Sequence, residues 1–205
     1  MPLEYEYNFH NFNKTAIIKK LKLLSAVKKG IFLFKVQVFI LPNAQEGSYL
    51  RVRDEGFRKT MTYKFQDCKT KFAEEHEIII DNFDNAVNLL LKTGCKKKYY
   101  YEKIREIWNL NNSEIIFDSI PGLPDIMEIE SLTQKELKNT IKLLEVNIKE
   151  EKTSNYLNLY GINLQTIELK FLNVKRQLIS KIEKNKELFE KTVTKQIILY
   201  NKVKK

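Results

Sequence analysis

Residues 49–53 read Tyr-Leu-Arg-Val-Arg, so that two arginines alternate with two aliphatic side chains. Because successive side chains of a β-strand point to opposite faces, this order predicts a strand that carries Arg51 and Arg53 on one face. Like charges at this spacing repel each other, and they therefore require counter-charges or an anion nearby. The segment is a predicted strand whose polar face is wholly positive.

The same alternation recurs along the chain, and the polar faces again tend to carry one sign of charge. Further strands are predicted at residues 3–9, 60–65, 75–80, 100–108, around Asp118, and at 127–130. Their polar faces carry Glu4 and Glu6, Lys64, Glu75 and Glu77, Lys103 and Arg105, Asp118, and Glu128 and Glu130. Of the two glutamates in residues 75–80, Glu77 is the preferred site candidate.

These faces have two interpretations. The solvated outer face of an antiparallel sheet also alternates polar and apolar residues. Whole strands of one sign favour the other interpretation, in which acidic and basic strands face each other inside a barrel and the apolar faces point outward. Such an interior is costly without a ligand. Its cations would bind phosphate oxygens and its carboxylates a divalent metal ion, so a polyphosphate with a metal would complement it.

Three helices are predicted between the strands, where apolar residues recur with a helical period. They cover residues 13–29, 82–93 and 133–150. Asp81, Asn82 or Asp84 can cap the second helix, and Gly94 can end it. Thr133 and Glu136 have the spacing of a capping box at the start of the third. These helices are expected to cover the apolar faces of the strands.

The composition sets limits on the class of protein. The chain has 205 residues with a net charge of +10, and no apolar run reaches the length of a membrane span. Without a signal-peptide pattern at the N-terminus, an intracellular, cytoplasmic protein is expected. Two distant cysteines indicate neither a disulfide framework nor a zinc site. No glycine-rich phosphate loop is present in the sequence, which argues against a P-loop or Rossmann nucleotide site.

Most of the positive charge lies at the C-terminus. Residues 173–205 carry nine Lys and one Arg against three Glu, which is +7 of the total of +10. The sequence therefore predicts a domain at residues 1–172 and a basic helical extension at 173–205. Lys186 and Gln196 interrupt the apolar spacing of the extension, so a coiled coil is not expected. The extension either packs on the barrel as an amphipathic helix or binds RNA or another polyanion.

Five short motifs occur in an order that resembles the CYTH superfamily of class IV adenylate cyclases and thiamine triphosphatases, also called triphosphate tunnel metalloenzymes. They begin with Tyr49–Arg53, followed by Thr62–Lys64 and Glu102–Glu106. Asp118–Leu123 and Glu128–Glu130 complete the order. Together with the acidic strand at the N-terminus, the resemblance spans residues 3–130.

The resemblance implies a β-dominated α+β fold, an eight-stranded antiparallel β-barrel tunnel with flanking helices. It also implies Mg²⁺ or Mn²⁺ as cofactor and a triphosphate compound or nucleotide as substrate. The residues that would bind phosphate are Arg51, Arg53, Lys64, Lys103 and Arg105. The residues that would hold the metal are Glu4, Glu6, Glu128, Glu130, Asp118 and Glu77. Glu4, Glu6 and Glu130 are also the expected catalytic residues.

Two positions depart from the pattern of the family. Asn8 stands where a Lys is expected after the two alternating glutamates, so one cation for the phosphates is missing. Related RNA triphosphatases also lack this Lys, and hydrolysis is therefore not excluded. Val38 stands where many members carry an acidic residue after Gln37, which alters one wall of the expected tunnel.

The expected function is metal-dependent hydrolysis of an inorganic, nucleoside or RNA 5′-triphosphate. One alternative is a class IV adenylate cyclase, and another is a degenerate protein that binds nucleotide or polyphosphate without turnover. The RNA 5′ end would be bound through the basic C-terminal segment. The sequence does not specify the oligomeric state. His10 and His76 are expected at surface or edge positions. Trp108 and Tyr99–Tyr101 are expected to pack in the sheet, with base stacking as the alternative.

Overall fold

A computed structural model describes residues 5–65, 73–147, 168–173 and 186–204 of the protein. These ranges contain eight strands and four helices. The strands are β1 (Tyr5–Phe9), β2 (Val27–Ile40), β3 (Ser48–Asp54), β4 (Lys59–Phe65), β5 (Glu74–Ile80), β6 (Lys96–Leu110), β7 (Ser113–Ser119) and β8 (Ile126–Ser131). The helices are α1 (Lys14–Leu23), α2 (Phe83–Lys92), α3 (Gln134–Leu143) and α4 (Lys186–Val203).

The eight strands form one antiparallel sheet in the order β1-β8-β7-β6-β2-β3-β4-β5. Within the described ranges, no ladder joins the edge strands β1 and β5. The sheet nevertheless curls far enough for its two ends to meet, because Lys64 Nζ on β4 lies 3.8 Å from a carboxylate oxygen of Glu6 on β1. The predicted β-dominated fold with eight antiparallel strands is confirmed, and the curled sheet encloses the inner face.

The helices cover the outer, apolar face of the sheet. On one side, α1 and α3 bury a cluster that includes Leu21, Leu137, Phe117 and Ile129. On the other side, α2 buries Val87 and Leu90 against strand residues that include Phe39 and Val52. Burial of these aliphatic and aromatic side chains supplies most of the driving force for folding. Because the apolar faces point out toward the helices, the charged faces point inward, as the interior interpretation requires.

The C-terminal part of the chain packs against the outside of β6 and β2. Tyr200 of α4 and Phe171, from the stretch 168–173, form a buried cluster with Ile104 of β6. Gln196, which interrupts the apolar pattern of α4, is also buried and contacts the loop between β7 and β8. Its side-chain amide donates to the carbonyls of Ile120 and Leu123, both at 2.9 Å, and its Oε1 accepts from the backbone N–H of Gly122 at 2.8 Å. The domain boundary at residue 172 stays a prediction.

The first helix is shorter than the apolar pattern predicted. It ends at Leu23 because Ser25 adopts a left-handed backbone with φ of 59°, and residues 27–29 already belong to β2. The third helix ends at Leu143 by the same device, with Glu145 at φ of 54°. Residues 148–150 of the predicted helix lie outside the described ranges. Both predictions were therefore wrong at the C-terminal ends of the helices.

The predicted helix starts agree with the structure. Asn82 is the cap of α2, and its side-chain oxygen accepts from the backbone N–H of Asn85 at 2.9 Å. Thr133 caps α3, and its hydroxyl accepts from the backbone N–H of Glu136 at 3.2 Å. That hydroxyl also donates to the Glu136 carboxylate at 2.9 Å. Among the helices that the structure describes, none is both long and apolar enough to cross a bilayer.

Candidate functional site

The inner face of the curled sheet collects the predicted site residues. In adjacent antiparallel strands, directly paired residues lie on the same face. Such pairs include Glu6 with Glu130, Arg105 with Asp118, Lys64 with Glu75, and Thr62 with both Arg51 and Glu77. Arg53 and Lys103 share the phase of their strand neighbours Arg51 and Arg105. The predicted site residues that the structure describes therefore lie on one inner face, and their joint role in binding a ligand stays a prediction. Glu4 lies outside the described residues.

Asp118 on β7 is the centre of the most buried charge cluster. Its two oxygens accept from Nε and Nη2 of Arg105 at 2.8 and 2.7 Å, and from Nζ of Lys103 at 2.7 Å. All three residues are at most 8% exposed. Arg105 also lies 3.3 Å from Glu128 on β8. A bidentate Arg–carboxylate contact of this kind holds both side chains in one geometry.

The electrostatics of this cluster favour the charged forms of Asp118 and Arg105, but they lower the pKa of Lys103 and so favour its neutral form. Burial raises the pKa of Asp118, but the charges and hydrogen bonds of Arg105 and Lys103 outweigh it and hold that pKa well below its ordinary value. Burial and the Arg105 charge lower the pKa of Lys103 to about 8, more than Asp118 and Glu128 raise it. Lys103 therefore carries its proton only up to mildly alkaline pH.

Arg53 is held by a second cluster near the β3–β4 turn. Its guanidinium contacts Glu77 at 2.5 Å and Glu55 at 3.1 Å, and Glu77 also accepts from the hydroxyl of Thr62 at 2.8 Å. Burial raises the pKa of Glu77, yet Arg53 and Thr62 lower it more, so the net shift is downward. Glu55, which pairs with Arg58 at 2.6 Å, is 2% exposed. It was not among the predicted residues, because it lies in a turn without alternation.

A third cluster joins the two ends of the sheet. Lys64 Nζ lies 2.6 Å from Glu75 on β5 and 3.8 Å from Glu6 on β1. Arg51 Nη2 lies 3.6 Å from the same Glu75. The side chains of Arg51 and Lys64 are only 14% and 11% exposed. Glu75, passed over in favour of Glu77, thus lies on the same face and bridges two predicted phosphate ligands.

The acidic side of the inner face runs across three neighbouring strands. Glu130 on β8 is paired in register with Glu6 on β1 and with Glu114 on β7. Oxygen donors on adjacent strands suit a hard divalent cation, which would also relieve the repulsion between them. Among the described residues, no three His, Cys, Asp or Glu side chains are grouped closely enough to hold a metal ion. The donor chemistry fits Mg²⁺ or Mn²⁺, with the ligand set incomplete in the described residues.

Other residues singled out in the sequence lie away from these clusters or differ from expectation. His10 is buried at 2% exposure, so the surface or edge position predicted for it was wrong. It follows β1 directly in the sequence. His76 is exposed and contacts Glu74 at 2.7 Å. Trp108 lies in the outer core, where its indole N–H donates to Glu106 at 3.1 Å.

The charged inner face can be compared with known proteins. A family model described as CYTH domain matches residues 14–158, which include β2 to β8. A protein of Methanocaldococcus jannaschii, named "Putative adenylate cyclase MJ0240", is 28% identical over 169 residues. That match covers 73% of this chain and 97% of the relative.

Solved structures share the same fold. The PH1012 protein of Pyrococcus horikoshii OT3 matches with a TM-score of 0.62 and 26% identity, over 72% of this chain and 94% of that one. A protein of Vibrio parahaemolyticus, described as a "putative adenylate cyclase", matches with a TM-score of 0.64 and 17% identity. The second match covers 76% of this chain and 98% of the other, and it shows the fold alone.

Proposed function

The chain belongs to the CYTH family, and from this premise we propose that it is a divalent-metal-dependent phosphohydrolase that acts on triphosphate compounds. The observation that carries the proposal is the inner face itself, where five cationic side chains lie within one curled sheet. Each of them contacts a carboxylate of the same face. Cations held in place in this way are preorganised to bind an anion and need little rearrangement to do so.

In this proposal, the phosphate oxygens are bound by Arg51, Arg53, Lys64, Lys103 and Arg105. Asp118 orients Lys103 and Arg105, because both of its oxygens already accept hydrogen bonds from them. Water would attack the terminal phosphorus and the bond from that phosphorus to the bridging oxygen would break, so that the rest of the substrate leaves as a diphosphate and the attacked phosphoryl group becomes orthophosphate. The bound cations stabilise the negative charge that develops on the phosphate oxygens and the leaving group during this step.

The carboxylates that would hold the cation are Glu6, Glu128 and Glu130, and the further candidates are Glu4, Asp118 and Glu77. A divalent cation supplies charge neutralisation and lowers the pKa of a bound water. Glu77 and Asp118 each accept a hydrogen bond from an arginine in the structure. Glu6 and Glu130 face each other across the β1–β8 ladder, which places two oxygen donors side by side.

A class IV adenylate cyclase is the second candidate function, because the relative in Methanocaldococcus jannaschii is named "Putative adenylate cyclase MJ0240". In that reaction the ribose 3′-hydroxyl attacks the α-phosphate and pyrophosphate leaves. Both reactions require the same cationic inner face. They differ in the group that attacks and in the phosphorus attacked.

The experiment that separates these functions is a product analysis of the purified protein with Mg²⁺ and with Mn²⁺. The substrates are tripolyphosphate, ATP, GTP, thiamine triphosphate and RNA with a 5′-triphosphate. Orthophosphate as the product supports the phosphohydrolase, whereas cyclic AMP with pyrophosphate supports the cyclase. Tight binding without either product supports a degenerate binding protein. RNA as the preferred substrate supports a role for the exposed lysines of α4, such as Lys195 and Lys202.

The affinity for tripolyphosphate is expected to fall as the pH rises through about 8. Lys103 is charged below its pKa and neutral above it, so one charge-assisted contact is lost on the alkaline side. The expected loss is about tenfold in affinity. Titration calorimetry from pH 7 to 10 measures it. Lys103→Arg is the control, since its guanidinium stays charged and the ionisation of the ligand is common to both proteins. An identical pH dependence of the two proteins would contradict the assignment.

Asn8→Lys is expected to tighten tripolyphosphate binding by about tenfold, since a charge-assisted contact is roughly 1–2 kcal/mol stronger than a neutral one. Asn8 pairs with Glu128 on the inner face, so the new ammonium would enter the acidic side of the site. Calorimetric affinities of the variant and the wild type provide the test. Asn11→Lys is the control, because Asn11 is exposed beyond the end of β1. If Asn8→Lys weakens binding of every triphosphate, the neutral amide is itself a required part of this site.

A further inference from the structure

Three tyrosines share the inner face with the cationic clusters. Tyr49 on β3 and Tyr99 and Tyr101 on β6 pack around a floor of Phe34, Val36 and Val38 from β2. The three floor residues are at most 2% exposed, whereas each tyrosine keeps part of its surface accessible. The rings of Tyr99 and Tyr101 lie 6.2 Å apart and are tilted by 38°. The result is an aromatic wall on a fully packed apolar floor.

On β6, this aromatic wall lies beyond the ladder that joins β6 to the acidic strand β7. The ladder between β6 and β7 begins at Ile104 and Ser119, so β6 has no β7 neighbour at Tyr99 and Tyr101. In the ladder between β6 and β2, Tyr99 pairs with Val38 and Tyr101 pairs with Val36. We call the part of the inner face that holds Tyr49, Tyr99 and Tyr101 the aromatic end. Lys103 and Arg105 form the cationic middle of the inner face, next to this end.

The aromatic end is continuous with the cations. Val38 pairs with Tyr99 on one side and with Arg51 on the other, so the arginine and the tyrosine flank the same small side chain. Burial raises the pKa values of Tyr49, Tyr99 and Tyr101, while the nearby Arg51 charge lowers each of them. Phe34 also lies under the ammonium of Lys103 and the guanidinium of Arg105, at 5.6 and 5.4 Å.

The backbone at the aromatic end is also held in place. The ladder between β2 and β6 shifts register between Val38 and Phe39. Buried Gln37 spans this irregularity, since its side-chain amide donates to the carbonyl of Tyr99 at 2.9 Å and to that of Val38 at 3.1 Å. The position of Tyr99 is thus set by a buried side chain rather than by the regular ladder alone.

We propose that the aromatic end binds the base of a nucleoside 5′-triphosphate whose phosphates lie on the cationic middle of the inner face. This inference rests on the proposed function, and it specifies the substrate class as a nucleotide rather than inorganic tripolyphosphate. A planar base can stack on a partly exposed tyrosine ring, and every base offers a π-face for it. The adjacent arginine then contacts the phosphates, which are attached to the ribose of the same nucleotide.

The test compares the affinities of ATP and tripolyphosphate by calorimetry in excess chelator, where the absence of free divalent metal prevents metal-dependent hydrolysis of the ligand. The main variant is Tyr99→Leu, and Tyr99→Phe keeps the ring while it removes the hydroxyl. The matched control is Tyr100→Leu. Tyr100 is the next residue on β6 and faces the outside, where its ring lies 5.0 Å from the ammonium of Lys170. Tyr49→Leu provides a second, independent position on the same wall.

The proposal predicts that the wild type binds ATP more tightly than tripolyphosphate, which has no ring to stack on the tyrosines. It further predicts that Tyr99→Leu and Tyr49→Leu weaken ATP binding about tenfold and leave tripolyphosphate binding unchanged. Tyr99→Phe and Tyr100→Leu should retain the affinity of the wild type. Equal losses for ATP and tripolyphosphate, or no loss for ATP, would overturn the base site while the proposed function stands. If no triphosphate binds to the wild type, the proposed function fails as well.

Discussion

Asp118→Asn is expected to lower the free energy of unfolding by about 3–5 kcal/mol, the usual cost of removing one partner from a buried ion pair. The substitution keeps the shape of the side chain but removes the negative charge between two buried cations. Lys103 can release its proton, because its pKa is about 8, but the pKa of Arg105 lies well above its ordinary value and its charge remains. Most of the cost therefore comes from the uncompensated guanidinium. Urea denaturation followed by circular dichroism measures the change.

Glu114→Gln is the control for this variant, because Glu114 lies on the same strand and face but is exposed. Its expected effect on stability is within about 0.5 kcal/mol, as for most surface substitutions. If Asp118→Asn were as stable as this control, Asp118 would not be the counter-charge that holds the cluster together.

Glu130→Gln is expected to reduce turnover of the preferred triphosphate by about a hundredfold or more, the range for loss of a catalytic group. The affinity for the substrate should stay the same or increase slightly, because the cations that bind phosphate are retained and one negative charge is removed. Turnover is measured as product release at saturating substrate and Mg²⁺, and affinity by calorimetry without metal. The two measurements together separate a catalytic role from a role in binding.

Glu145→Gln is the control for Glu130→Gln, since Glu145 lies on the outer surface with 72% of its side chain exposed. Its ion pair with Lys20 is solvent-exposed and contributes little to stability. It should retain full turnover. A proportional loss of affinity and turnover in Glu130→Gln would assign Glu130 to substrate binding. Full activity of the wild type in excess chelator would contradict the role proposed for the carboxylates in holding a metal ion.

Seven of the eight strands could be predicted from the alternation of residues, because each has a charged inner face and an apolar outer face. β2 had no such signal. Its central part, from Ile31 to Phe34, is apolar on both faces, since one side packs under α4 and the other forms the floor beneath the tyrosines. The helix predicted over residues 13–29 extended into this strand. The residue with the left-handed backbone that ends the helix is Ser25, and a serine does not indicate a helix end in the sequence as a glycine would.

The faces of the site were predictable, but the partners within it were not. The alternation placed Arg51, Arg53 and Lys64 on one face, and the register of the sheet agrees. The pairing of carboxylates with cations depends on the curl of the sheet. The curl brings strands into contact that are distant in the strand order, such as β1 and β4. Lys64 therefore contacts Glu6 across the interior, a contact that no local spacing indicates. Likewise, Gln196 interrupted the helix pattern because its side chain binds a buried loop.

The most direct test of the central claim is a crystal structure of the protein with tripolyphosphate. The proposal predicts phosphate oxygens within hydrogen-bond distance of Arg51, Lys64 and Arg105, on the inner face of the curled sheet. It also predicts that the contacts of Lys64 and Arg51 with Glu75 lengthen as phosphate replaces the carboxylate. Tripolyphosphate bound only to exposed lysines of the outer surface, with the inner ion pairs intact, would contradict the claim.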